Sequence, residues 1–278
     1  VASKALISPA DLLALALEMK SAQDATRQIE PFSARVPDFD LEDAYQVCGL
    51  IHEARVGEGA KPVGRKIGFT NPAMWPIFGV AEPIWGHVYD RTVVLLDGTA
   101  ATCPLAPFAE PMIEPEIVLH FRAAPRPGDG LAGILGAIDW VAHGFEIVQS
   151  HFPGWKFKAP DTVADGGLHG SLLVGPRVPV GELGSDPVKA LEAFTLELSC
   201  DGRPVETGRG SNVLGNPLAA ITHLLSALEK QPHAAPLEAG ELVTTGTITT
   251  AHPVHAGETW RTGLQGIPLP GLELRFLP

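Results

Sequence analysis

Two glutamates, Glu114 and Glu116, stand two residues apart in the run Ile113-Glu114-Pro115-Glu116-Ile117. Side chains on a β-strand alternate between faces, so both carboxylates point to the same side. Their neighbours are apolar, and like charges in such surroundings raise each other's pKa unless a cation lies between them. A hard divalent cation such as Mg2+ takes carboxylate oxygens and keeps other positions for water or substrate. The alternative is an edge strand with both glutamates in solvent. A third acid, Glu146, repeats the pattern in Phe145-Glu146-Ile147-Val148. Alone it reads as an outward-facing charge, but with the pair it completes a three-carboxylate site. His143, three residues earlier, reads as structural.

Lys66 lies in Gly64-Arg65-Lys66-Ile67-Gly68-Phe69-Thr70, between glycines and apolar residues. On such tight backbone a lysine can move a proton or stabilise an enolate by its charge. A surface-turn lysine is the alternative. The run from Asp161 to Gly167 reads as a loop in which glycine lets backbone approach a ligand closely. Thr244-Thr245-Gly246-Thr247 offers hydroxyls and amides suited to binding a carboxylate.

These residues need elements to hold them. Ser8-Pro9 has the form of a helix start, a serine cap followed by proline, and Leu12, Leu13, Ala16 and Leu17 follow. Asp40 opens a second helix, and the polar, proline-punctuated Arg27 to Phe39 between them reads as a loop. Beyond about Gly64 the pattern changes to strands and turns. Strands are expected at Thr92 to Leu96, Ile113 to Phe121, Phe145 to Val148, Ser171 to Val174, Phe194 to Cys200, Glu241 to Thr250 and Leu272 to Leu277. Pro115 disfavours a central ladder position. Leu131 to Val141 reads as a helix running into the strand that carries Glu146. Asp201-Gly202 is a hairpin turn, and Asn216-Pro217 starts a helix with Leu218, Ile221, Leu224 and Leu228 on one face.

Composition narrows the function classes. The 278 residues carry 32 Asp+Glu against 20 Lys+Arg, a formal net charge of −12. An acidic chain with no basic stripe repels phosphate backbones and anionic membrane surfaces, so neither is an expected partner. Cys48, Cys103 and Cys200 are distant and odd in number, which fits a reducing cytoplasm. No apolar run nears the roughly 20 residues of a membrane span, and no signal peptide is visible. Gly-x-Ser-x-Gly, Walker and His-Glu-x-x-His motifs are absent, and Val213 stands where a dinucleotide fingerprint would need its third glycine.

Taken in order, six segments resemble one family: Lys66-Ile67-Gly68-Phe69-Thr70, Ile113-Glu114-Pro115-Glu116-Ile117, Phe145-Glu146-Ile147-Val148, Asp161-Thr162-Val163-Ala164-Asp165, Val213-Leu214-Gly215-Asn216-Pro217 and Gly240 through Thr247. They are similar to the 2-keto-4-pentenoate hydratase / 4-oxalocrotonate decarboxylase group of the fumarylacetoacetate hydrolase superfamily, over most of the chain from about Asp40. The resemblance implies an α+β fold, with an N-terminal helical region (1–64) and a mixed β-roll core (65–278). It implies Glu114, Glu116 and Glu146 as ligands of Mg2+ or Mn2+, and Lys66 and Asp165 as catalytic residues. Thr70, Gly246 and Thr247 would bind substrate. The implied activity is a lyase reaction in the catabolism of aromatic compounds, adding water to a 2-hydroxy-2,4-dienoate to give a 4-hydroxy-2-oxo acid. A small 2-oxo or 2-hydroxydienoic acid is thus the expected substrate. A homo-oligomer is also implied, and a complex with a sister hydratase or decarboxylase subunit is a further option.

Three positions depart from the family pattern. Pro83-Ile84-Trp85-Gly86 replaces Pro-Asp-Phe-Gly, Gly166-Gly167-Leu168 replaces Asn-Ala-Ser, and Met112 stands where an arginine is common. The alternatives are a 4-oxalocrotonate-type decarboxylase, an acylpyruvate hydrolase of the same superfamily, or a non-catalytic partner subunit. Hydrolases usually carry a lysine about twenty residues after the third metal ligand, where this chain has Ala164-Asp165-Gly166.

Overall fold

The computed structural model describes residues 6–72, 75, 80, 82–231 and 234–278. Its N-terminal part is helical. Ser8 caps α1 (Pro9–Asp24), its hydroxyl accepting from the Asp11 N–H. Asp40 caps α3 (Leu41–Gly57) through a reciprocal pair of bonds with Asp43, which satisfies donors a helix start leaves open. The intervening segment is not all loop. Phe32–Arg35 forms a short helix, α2, because Phe32 drops into the core beside Met19, Val47 and Ile51. That core continues into Phe152, Val163 and Ala164, so the helices are packed against later parts of the chain.

The first sheet is built from β1 (Pro62–Gly68), β2 (Ile84–Tyr89), β3 (Val93–Leu95), β5 (Met112–Phe121), β6 (Ile138–Val148), β7 (His169–Val174) and β11 (Leu242–Thr247). Their order across it is β2-β1-β11-β5-β6-β7-β3. Two-residue strands β8 (Val178–Pro179) and β12 (His252–Pro253) join β6 and β5. The boundary expected at residue 64 falls inside β1. The second sheet holds β4 (Ala100–Pro104), β9 (Thr195–Cys200), β10 (Arg203–Arg209), β13 (Thr259–Gln265) and β14 (Glu273–Leu277), in the order β10-β9-β13-β14-β4. Among the described residues, no helix is long and apolar enough to cross a membrane.

Alternation along β5 decides which side chains face which core. Ile113, Ile117, Leu119 and Phe121 belong to the main core, with Leu196, Leu198, Trp260 and Phe276 of the second sheet. Two helices add to it: α6 (Pro187–Ala193) through Leu191, and α7 (Pro217–Lys230) through Leu218, Ile221 and Leu224. Glu114, Glu116 and Val118 take the other face, where Val118 meets Ala142, Leu172 and Val88. A one-residue slip would turn three or four large apolar side chains out of the core, at about 2 kcal/mol each.

Three further sequence-based expectations change here. Pro115 sits on a central strand, between β11 and β6. Its carbonyl accepts from the Ile248 N–H, and a strand residue points its N–H and C=O the same way. The missing donor therefore faces β11, where the register shifts between Thr244 and Thr247 and the ladder is already interrupted. The helix expected over Leu131 to Val141 is α4 (Leu131–Gly136) only. Gly133 and Gly136 are poor helix formers, and from Ile138 the chain pairs along β5 instead, as β6. The run 161–164, expected as loop, is the end of helix α5 (Ala159–Ala164), with Asp161 accepting from the Lys158 N–H.

Candidate metal centre

Glu114 and Glu146 are direct cross-strand partners on β5 and β6, and Glu116 lies opposite Gly144 on the same face. A ligand oxygen from each of the three lies within 4.8 Å of the others. Glu116 and Glu146 are fully buried, and each has one oxygen anchored and one left over. Glu116 Oε2 accepts from Thr244 Oγ1 and, at 2.7 Å, from the Gly246 N–H. Glu146 Oε1 lies 2.7 Å from His169 Nδ1. Glu116 Oε1 and Glu146 Oε2 have no hydrogen-bond partner among the described residues. Buried carboxylate oxygens without a partner are costly, and a divalent cation is the ligand that such a donor set fits.

Lys66 is in the middle of β1 and buried, with its Nζ 2.8 Å from the Gly167 carbonyl. It also pairs with Glu146 Oε2 at 3.3 Å. Three carboxylates against one ammonium leave a surplus of two negative charges, which a divalent ion cancels. Burial and the neighbouring carboxylates act on the metal-free cluster together. Burial pushes Glu114 up to about 7, despite the opposing pull of Lys66. It also raises Glu116 well above the usual carboxylate range, helped by Glu146 and Glu114. Burial alone would raise Glu146 too, but Lys66 and His169 outweigh it and hold that acid low. Lys66, which burial would lower, is raised by the three glutamates and stays an ammonium.

The residues expected to bind substrate gather beside Glu116. Gly246 has φ +97° at the bulge in β11, and a Cβ there would lie 1.8 Å from Thr70 Oγ1. Only glycine permits that approach. Thr247 pairs with Glu116 in register, and the Thr70 and Thr247 hydroxyls are both buried without a partner among the described residues. The threonine-rich segment does bind a carboxylate, but that of Glu116 in its own chain.

Asp165 is placed differently. Its oxygens take bonds from His151 Nδ1 at 2.8 Å, the His151 N–H at 3.2 Å and Gln23 Nε2 at 3.0 Å. Its connection to the cluster runs through the backbone, since Gly167 two residues on holds Lys66. His143 is structural. Its Nδ1 donates to the Glu116 carbonyl at 3.0 Å, and its Nε2 meets Thr262 Oγ1 of β13 at 2.8 Å. Burial lowers it to about 4, so it ties the two sheets together as a neutral ring. Sequence reasoning missed His169, whose contact with Glu146 depends on strand register and on no motif.

The family model described as fumarylacetoacetate (FAA) hydrolase, C-terminal, matches residues 92–270. The chain belongs to the fumarylacetoacetate hydrolase family. Within that family it is 31% identical to a 2-keto-4-pentenoate hydratase of Paraburkholderia xenovorans (strain LB400), over 91% of this chain and 90% of the relative. It is 30% identical to a 4-oxalocrotonate decarboxylase of Pseudomonas sp. (strain CF600), over 92% and 94%. Among solved structures, 4-oxalocrotonate decarboxylase from Pseudomonas putida G7, complexed with magnesium and adipate, superposes with a TM-score of 0.89 at 28% identity. That match covers 99% of this chain and 100% of the other. The α+β architecture expected from sequence is thus that of this family.

Proposed function

We propose that this family member is a divalent-metal-dependent lyase that hydrates a 2-hydroxy-2,4-dienoate to a 4-hydroxy-2-oxo acid. One observation carries the reading: buried Glu116 offers an oxygen with no partner among the described residues, beside Glu114 and a Glu146 oxygen held only by its ion pair with the Lys66 ammonium. The hydratase and decarboxylase relatives, both matched nearly end to end, support the lyase class.

Glu114, Glu116 and Glu146 would hold Mg2+ or Mn2+. A bound ion supplies Lewis-acid polarisation of the substrate's 2-oxo oxygen. Lys66, kept protonated at Nζ, stabilises negative charge developing on the substrate or delivers a proton to it. Thr70 and Thr247 offer hydroxyls to the substrate carboxylate, and Gly246 lets Thr70 come close. Asp165 positions the turn that carries the Gly167 carbonyl and through it orients Lys66.

The test is a panel of 2-oxo acids with and without Mg2+. Metal-dependent loss of the dienol absorbance of 2-hydroxypenta-2,4-dienoate is the expected result. Metal-dependent release of carbon dioxide from 4-oxalocrotonate without any hydration, or of pyruvate from an acylpyruvate, would overturn it.

A further inference from the structure

We propose that His169 is a positioning residue for Glu146, holding one carboxylate oxygen so that the other stays aimed at Lys66 and a divalent cation. The inference rests on the metal-centre reading above.

His169 is the first residue of β7, beside the register shift between Ile147 and Val148 where β6 meets β7. That irregularity sets its ring against Glu146, with Nδ1 2.7 Å from Oε1. An ionised carboxylate has no proton to give, so Nδ1 carries the hydrogen and donates. On the other side of the ring, Nε2 lies 2.8 Å from Thr92 Oγ1. Thr92 is itself held at the β2–β3 turn, its Oγ1 accepting from the Tyr89 N–H at 3.3 Å. The hydroxyl also donates to the Tyr89 carbonyl at 3.2 Å, so the contacts running from the Tyr89 backbone through Thr92 and His169 to Glu146 fix the imidazole's tilt, and with it the carboxylate plane.

The two buried glutamates are therefore anchored by different means. Glu116 is held by the Thr244 hydroxyl and the Gly246 amide, both within its neighbouring strand. Glu146 depends on one side chain from β7. With Oε1 released, its carboxylate could rotate about χ3, and Oε2 would leave the line to Lys66. Partners one step beyond a metal ligand typically contribute a 10–100-fold change in metal affinity.

The experiment is calorimetric titration of Mn2+ into the metal-stripped chain and its variants. His169→Phe should weaken Mn2+ binding by about 10–100-fold. His169 lines a cavity of about 220 Å³ with Thr92 and Arg91. His169→Asn, whose amide nitrogen can stand where Nδ1 stood, should bind within about threefold of the parent, and that rescue separates positioning from mere packing. Thr92→Val touches neither glutamate and should still weaken Mn2+ by a few-fold, adding nothing on top of His169→Phe. This variant carries the test should His169→Phe fail to fold. Equal Mn2+ binding by the parent and His169→Phe, with the parent loaded, would overturn the inference alone. So would His169→Asn binding as poorly as His169→Phe. A parent chain that takes up no Mn2+ would overturn the metal-centre reading and this inference with it.

Discussion

Lys66 Nζ donates a 2.8 Å hydrogen bond to the carbonyl of Gly167, and the contact exists because residue 167 has no Cβ. A Cβ there would lie 2.7 Å from Lys66 Cδ, and the backbone holds φ +73°. Gly167, part of a departure from the family pattern, therefore packs directly on Lys66, the lysine proposed to stabilise charge on the substrate.

Gly167→Ala should displace Lys66. The strained φ and the clash together cost about 2 kcal/mol of stability, read as a lower midpoint in urea. Turnover should fall at least tenfold, by about the 1.4 kcal/mol that a tenfold rate change represents. Substrate KM should move less than kcat, because the loss lies in charge placement at the reacting atoms.

Glu116→Gln keeps the side chain's shape while removing a charge from a fully buried position. Mn2+ affinity should drop by about two orders of magnitude or more, since one charged ligand is lost. The metal-free protein should gain stability over the parent on the alkaline side, where the parent's buried Glu116 must ionise beside Glu146 and Glu114. Calorimetric titration and thermal melts of the metal-free form measure the two effects. A variant that loses metal and stability together would point to a collapsed site.

pH should act on the metal-free cluster in a defined direction. Glu114 and Glu116 have folded pKa values raised above their ordinary ones, Glu114 to about 7. Such groups stabilise the fold at low pH, and that contribution is lost as pH rises through the folded pKa. The melting temperature of the stripped protein should fall between about pH 6 and about pH 8 by a few degrees. A divalent ion displaces those protons, so its affinity should rise over the same interval and its stabilising effect should be larger at the alkaline end. Melts with and without Mg2+ at both pH values check the sign.

Much of the site is legible in the amino-acid sequence. Glu114 and Glu116 share a face because a strand alternates, and their apolar neighbours mark them as unusual. Gly246 and Gly167 carry the same kind of local signal. Pro115 misleads, since a rule about ladder donors says nothing of a bulge on the neighbouring strand. Leu131 to Val141 misleads because a short apolar run has no period of its own, and partner strand β5 claims its second half.

Residue types, the two-residue spacing of the glutamates, the caps of α1 and α3, and the acid surplus that a cation must offset locally all follow from the sequence alone. Each is a property of one segment or of composition. Three further facts belong to the folded chain: Glu146 stands opposite Glu114, Lys66 is buried beside it, and His169 rather than His143 meets the cluster. They depend on strand register, which is set jointly by core burial on the far face and by bulges on neighbouring strands. A shift of one residue there exchanges every neighbour, and no segment read alone records it.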